Sequence, residues 1–144
     1  MNLVRWNLPA QIIGITLIVF LLSAKNVAIE ANPPGSGEVE RRGKVLKYTL
    51  KNGLTAILEE NHFAPVVAFN LWVKVGSADE KDTEAGISHV HEHMLFKGTT
   101  TRGVGQIAKE VESAGGDINA YTTPDQTVYY LVLPSRHLEV GLSI

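Results

Sequence analysis

The chain has 144 residues, a formal net charge of −2 and no cysteine. That length allows one domain, and a near-neutral balance offers no basic surface for nucleic acid. The lack of cysteine excludes disulfides, cysteine-type zinc sites and a lipidated N-terminal cysteine, though it does not decide the redox compartment.

The N-terminus comes first. Arg5 supplies a positive start, and residues 12–22 are apolar apart from Gly14 and Thr16, with Ser23 and Ala24 following. This is the pattern of a secretory signal peptide whose apolar core is short for a membrane span. Residues 1–31 are therefore expected to direct export, to a periplasm or to the exterior. The alternative is an uncleaved membrane anchor over residues 10–24, which would be the chain's only link to a membrane. Ala24, Ala28 and Ala31 are candidate cleavage positions, and each lacks an ideal small residue at −3. Asn32-Pro33-Pro34-Gly35-Ser36-Gly37 reads as a flexible linker, so 32–43 are assigned to a linker and 44–144 to the folded part.

Val45–Leu50 and residues 54–59 flank Lys51-Asn52-Gly53, and Asn-Gly between apolar runs predicts a hairpin. Residues 66–75 form a third strand, with Val67, Phe69, Leu71, Val73 and Val75 alternating along it. A helix follows. Thr83 is positioned to cap it, Glu84 falls in its first turn and Gly98 ends it. Ile87, Val90, Met94, Leu95 and Phe96 spread almost all round this helix, which predicts burial. A second helix runs over about 104–114, with Val104, Ile107, Ala108 and Val111 as its apolar stripe and Gly115 as its stop. A last strand covers 127–133 and carries Tyr129 and Tyr130, which read as sheet packing. Residues 136–144 begin a third helix. The fold class is α+β, an antiparallel sheet with helices packed on one face. The expectation is that this is the start of a larger, truncated domain, with apolar surface left exposed when the piece stands alone.

The chemistry is concentrated in His89-Val90-His91-Glu92-His93. Read as H-x-x-E-H on a helix, it puts His89 and His93 four residues apart on one face, with Glu92 beside them. Neutral imidazoles are zinc ligands at about 2.0–2.1 Å, and a catalytic zinc takes three protein ligands and leaves one position for water. The metal lowers that water's pKa to roughly 7, and an adjacent carboxylate can accept its proton and hand it to a leaving amine. His89 and His93 are thus candidate metal ligands and Glu92 the candidate base. On spacing alone a structural or solvated two-histidine face stays open. His91 lies about 200° round the helix from the pair, at 100° per residue, so it reads as a packed or water-linked histidine.

The stretch from Gly86-Ile87-Ser88 through this motif to Phe96-Lys97-Gly98-Thr99 closely resembles the active-site segment of the pitrilysin/insulysin/mitochondrial processing peptidase family of zinc metallopeptidases. A second block fits as well: Gly115-Gly116-Asp117-Ile118-Asn119-Ala120-Tyr121-Thr122, then Asp125, Thr127, Tyr129 and Tyr130. It resembles that family's strand pair after the active-site helices. From about Lys44 onward the chain is similar to the first part of the family's N-terminal catalytic domain. The resemblance implies a zinc-dependent endopeptidase acting on peptides or unfolded protein segments, with one zinc per complete domain. It implies that His89 and His93 bind that zinc, that Glu92 activates water, and that Asn119 and Ala120 lie beside the substrate. Family members bind substrate as an added strand on a sheet edge, and close two homologous domains or subunits around it.

Two departures stand out. The family's third zinc ligand is a Glu from a helix well downstream. Only 51 residues follow His93 in this chain, and Glu110, Glu112 and Glu139 have no matching context. His91 is the second, since relatives more often carry an apolar residue there. By itself Asn119 reads as a turn or bulge residue after Gly115-Gly116. The expected function is a zinc endopeptidase of which this chain is an incomplete piece, inactive alone. The alternative is a non-catalytic fragment or partner subunit that retains the metal helix.

Overall fold

Asn52-Gly53 makes the turn its flanks call for. Gly53 takes a φ of +87°, which costs least for a residue with no Cβ. The Leu50 and Leu54 backbones then pair at 2.8 Å, and Asn52 Oδ1 accepts the Leu54 N–H. The computed structural model describes residues 15–22 and 36–144. Within them lie seven strands: β1 (Ile15–Leu22), β2 (Ser36–Arg42), β3 (Val45–Leu50), β4 (Thr55–Asn61), β5 (Val66–Val73), β6 (Asp117–Thr122) and β7 (Thr127–Pro134). Three helices join them: α1 (Ile87–Leu95), α2 (Gln106–Ser113) and α3 (Leu138–Ser143).

The strands form one sheet in the order β2-β3-β4-β1-β5-β7-β6. All neighbours are antiparallel except β1 and β4, which run parallel. The α+β class with helices on an antiparallel sheet is therefore as the sequence indicates. Two features of the N-terminal part differ in detail. Ile15–Leu22 stands as a strand between β4 and β5, in register with residues of each. The rest of the expected leader or anchor, with Arg5, Ala24, Ala28 and Ala31, lies outside the described residues. So do residues 32–35 of the expected linker, whereas from Ser36 that segment is strand β2, paired along β3.

The helices cover the β5-β7-β6 part of the sheet. Val67, Phe69, Leu131 and Leu133 form the buried core there, joined by Leu58, Ile118, Leu138 and Val140. These are alternate positions on each strand, so one face of the sheet is apolar and faces the helices. Helix α2 buries Ile107 and Val111 and stops as its sequence predicts. Gly115 is left-handed at φ +78°, its N–H bonds the Glu112 carbonyl at 2.9 Å, and the Gly116 N–H bonds Val111 at 2.9 Å. That pair is a Schellman motif. A Cβ on Gly116 would sit 2.6 Å from the Val132 carbonyl oxygen, so the second glycine is required by the close approach of α2 to β7. Helix α2 begins later than the periodicity suggests, after Gly105, which leaves Val104 exposed and outside it. Strand β5 likewise ends at Val73, and Val75 is held instead by the Thr127 hydroxyl, which donates to its carbonyl at 3.0 Å.

Leu133 is the largest of the fully buried side chains. Its truncation should leave a cavity that neighbouring strands cannot close. Leu133→Ala is expected to cost about 2–5 kcal/mol, read from the urea midpoint of unfolding. An unchanged midpoint would mean that this face is not the core of the molecule.

Candidate metal centre

Helix α1 begins at Ile87, with Gly86 in the left-handed region at φ +92° as its first flanking residue. Thr83 does not cap it. Thr83 lies inside a short 3₁₀ turn, Asp82–Glu84, ahead of the helix. The cap comes from Glu80, whose carboxylate accepts the Gly86 N–H at 2.6 Å and the Ser88 N–H at 2.8 Å. Both are backbone donors that the first turn leaves without helical partners. Glu80 is itself fixed from below. The 3₁₀ turn Ser77–Asp79 just before it rests on the β6–β7 turn, with Ser77 N–H bonding Thr123 and Ala78 N–H bonding Pro124. Gly76 allows this approach, because a Cβ there would meet the Thr123 and Pro124 backbone. At its other end α1 passes through Phe96 and Lys97 to Gly98, left-handed at φ +105°.

The expectation that α1 is buried is wrong for the described residues. Only Ser88 is buried; Val90 is 58% exposed and Met94 57%, and Ile87 and Leu95 are exposed too. The helix meets β6 and β7 along one side only, and among the described residues no second layer lies over its outer side. Burial therefore does not demand a metal for these histidines. What remains is geometry.

That geometry is convergent. His89 Nε2 and His93 Nε2 stand 3.0 Å apart, with ring centroids 4.6 Å apart and planes tilted by 56°. Two ligands at zinc distances in a tetrahedron lie about 3.3 Å apart, so the nitrogens need to separate by only a few tenths of an ångström to share one ion. Glu92 completes the cluster. One ligand atom from each of His89, Glu92 and His93 lies within 4.8 Å of the others. This fits two zinc ligands with a carboxylate beside them. Glu110, by contrast, is held by Arg102 at 2.9 Å and Gln106 at 2.8 Å. Glu112 and Glu139 are exposed on α2 and α3, and none of the three joins the cluster. His91 is exposed and donates from Nδ1 to the Ile87 carbonyl at 2.9 Å, so it is bonded within its own helix rather than packed.

The sequence pattern gives no role to two groups that shape the site. One is Glu80. The other is Thr122, whose hydroxyl donates to Glu92 Oε2 at 2.6 Å. Tyr129 stands nearby; burial, and secondarily the charge of Glu92, hold its phenol above the ordinary tyrosine range. Asn119 and Ala120 lie on β6, which among the described residues pairs only with β7 and forms one edge of the sheet. Asn119 is exposed, and its Oδ1 accepts the Ala120 N–H at 2.9 Å. Tyr130 packs its ring against Tyr121 across the strand pair at 6.3 Å, in keeping with sheet packing.

The chain is similar to known proteins over most of its described residues. The sequence profile of the insulinase family, peptidase family M16, matches residues 55–144. A protein of Rickettsia felis named as an uncharacterized zinc protease is 48% identical over 95 residues, which are 66% of this chain and 23% of that protein. A probable mitochondrial-processing peptidase subunit beta of Arabidopsis thaliana is 38% identical over 96 residues, or 67% of this chain and 18% of that one. The crystal structure of the periplasmic protease PqqL from Escherichia coli superposes with a TM-score of 0.61 at 33% identity, covering 70% of this chain and 12% of its own. The chain thus spans under a quarter of each of these three proteins.

The Glu80 cap yields a pH dependence. Its carboxyl is held below its ordinary value of 4.5, first by the Gly86 N–H and then by the Ser88 N–H. A folded-state pKa below the unfolded one means that folding favours the ionised form. Its contribution is therefore full above the unfolded value and lost as pH falls through the folded one. The melting-temperature gap between wild type and Glu80→Gln should be widest at neutral pH and close as pH drops below 4.5. Equal gaps on both sides of that window would show that the carboxylate does not hold α1.

Proposed function

The chain belongs to the insulinase family, peptidase family M16, and from that premise we propose that it is part of a zinc-dependent endopeptidase acting on peptides or unfolded segments. His89 and His93 are two metal ligands in this reading and Glu92 is the general base. The observation that carries it is the convergence of the two imidazole nitrogens at 3.0 Å with Glu92 in the same cluster. Bound zinc would supply a water of pKa roughly 7 and a Lewis acid for the scissile carbonyl. Glu92 takes the proton from the attacking water and returns it to the leaving amine. His89 and His93, four residues apart on one helix, would hold the ion on the side of α1 that carries Glu92.

Substrate binding is proposed at the free side of β6. A peptide added there as a further strand would meet the exposed Asn119 and take over the Ala120 N–H, which Asn119 Oδ1 now accepts. The exposed Ile87, Val90, Met94 and Leu95 of α1 are proposed to be covered by a homologous second domain or subunit. The third zinc ligand, a Glu, is proposed to lie outside this chain. A second reading follows for the 144-residue polypeptide by itself. With Glu92 kept as the base, the cluster His89, Glu92 and His93 offers two histidine ligands and no further group among the described residues, so it would hold zinc weakly and act only as a non-catalytic piece that needs more protein.

Export, to a periplasm or beyond, is proposed from the leader-like pattern of residues 1–31, and the fold neighbour PqqL is itself named a periplasmic protease. The place of β1 in the sheet supports the rival reading, that residues 15–22 are retained. A removed leader and a retained strand exclude one another. Mass spectrometry of the protein from its native host should find an N-terminus within residues 25–32. An intact Met1 in a soluble fraction would instead make Ile15–Leu22 a permanent strand, and an intact Met1 in membranes would make it an anchor.

The catalytic assignment has a direct test. In a full-length protein containing this chain, Glu92→Gln should keep its zinc and lose peptidase activity by about 10²–10⁴-fold or more. His89→Ala and His93→Ala should each lose zinc. The 144-residue chain with added zinc should show no Glu92-dependent cleavage of unstructured peptides. Equal zinc in all variants, or near-normal turnover with Gln at position 92, would overturn these roles.

A further inference from the structure

The geometry points to Thr122 as the positioning residue for Glu92: its hydroxyl, fixed on β6, holds one carboxylate oxygen so that the other stays free to accept a proton from water. The inference rests on the reading of Glu92 as the base and adds a second residue to it. The contact is short, 2.6 Å from Thr122 Oγ1 to Glu92 Oε2, as a hydroxyl donating to an ionised carboxylate should be. Among the described residues it is the hydrogen bond the structure gives Glu92. Residues 92 and 122 are 30 apart in sequence, so the bond is a tertiary one that ties α1 to the sheet.

Three features make Thr122 suited to hold the base as well as to fill space. First, threonine is β-branched and stiff at χ1, so its hydroxyl is aimed by the strand and not by a flexible chain. Second, Thr122 pairs in register with Thr127, whose own hydroxyl is fixed on the Val75 carbonyl. The two threonines lie side by side on the face of the sheet that α1 covers, and neither is available to turn away. Third, Ala120 and Thr122 are two apart on the same strand, so they present to the same face. The strand whose edge is proposed to pair with the peptide is therefore also the strand that sets the carboxylate. The position of the base relative to the scissile bond is then fixed through two residues of β6, and does not depend on the sparse packing of α1. A carboxylate on an exposed helix without that bond would sample several rotamers, and misplacement by about 1 Å can cost 10²-fold in rate.

Two measurements decide it. The first needs no zinc and no activity. In the 144-residue chain, Thr122→Val and Glu92→Ala are made singly and together, and the unfolding equilibrium of each is measured in urea. Loss of a shared bond should make the double variant about tenfold more stable than the product of the single effects predicts. Strict additivity would show that the two side chains do not interact and would end the proposal. The second is kinetic, in the full-length protein. Thr122→Val should lower kcat by about 10–100-fold, as losses of a supporting hydrogen bond at metal sites do, with KM and zinc content unchanged. Thr122→Ser should recover most of it. A merely structural role would lower the yield of folded protein in both variants and leave kcat per folded molecule unchanged, with no rescue by serine. If Thr122→Val folds poorly, Thr122→Ala takes its place in both experiments. Full activity of Glu92→Gln would refute the base itself, whereas an inactive Glu92→Gln beside a fully active Thr122→Val would refute only the positioning role.

Discussion

Among the described residues, strand β6 is paired with another strand on one side only. Its inner edge runs along β7 from Asp117 to Thr122, and its outer edge meets no further strand among the described residues. An edge strand is normally a hazard, because its free amides and carbonyls recruit other strands. In this fold the same strand also forms the floor beneath α1. The alternation of a strand does two things at once in six residues. Ile118, Ala120 and Thr122 turn toward the helices, while Asp117, Asn119 and Tyr121 are exposed. The open edge and the helix-covered face meet at Ala120, so a chain docking on the edge is brought within reach of whatever α1 presents.

What α1 presents is set by polar ties more than by apolar packing. Most of its large side chains point outward. The helix is held at its start by the Glu80 carboxylate and in its middle by the bond between Glu92 and Thr122. Both ties lead back to the same place. Glu80 follows a 3₁₀ turn seated on Thr123 and Pro124, the residues immediately after β6. The helix that carries the two histidines is therefore referenced twice to one strand end. A negative charge at the first turn also complements the helix dipole, in line with the lowered Glu80 carboxyl.

The parts of this arrangement that are legible in the sequence are those written within a few residues. The i, i+4 spacing of His89 and His93 gives convergence without any knowledge of the fold, and the structure brings their nitrogens to 3.0 Å. Asn52-Gly53 and Gly115-Gly116 declare their turns because positive φ is nearly a glycine property. The β5 alternation likewise marks its core side, with Val67 and Phe69 buried. The misreadings share a different cause. The apolar residues spread round α1 predict burial only if something covers each side, and residue order cannot say whether a covering layer is present. Thr83 is a good capping residue by type, yet Glu80 caps the helix because the chain turns in 3₁₀ geometry on either side of Glu80, at Ser77–Asp79 and Asp82–Glu84, and Thr83 lies inside the second turn. Thr122 stands in a block of family-like residues with no role evident from spacing, since its partner lies 30 positions away. The linker composition of residues 32–37 gives no hint that strand pairing starts at Ser36.

Edge position and helix support together define what this arrangement can do. A histidine pair on an exposed helix has access to ions and water but little to hold an extended chain. An edge strand can hold an extended chain but carries no chemistry of its own. Joining them through a threonine hydroxyl places the carboxylate by reference to the edge strand, so on the proposed reading binding and proton transfer would share one coordinate frame. Such preorganisation relies on residues whose own rotamers are locked, and a β-branched side chain on a paired strand meets that condition better than any residue of the exposed helix could. The exposed outer side of α1 is then free to be apolar for another purpose, since the orientation of Glu92 does not depend on burying it.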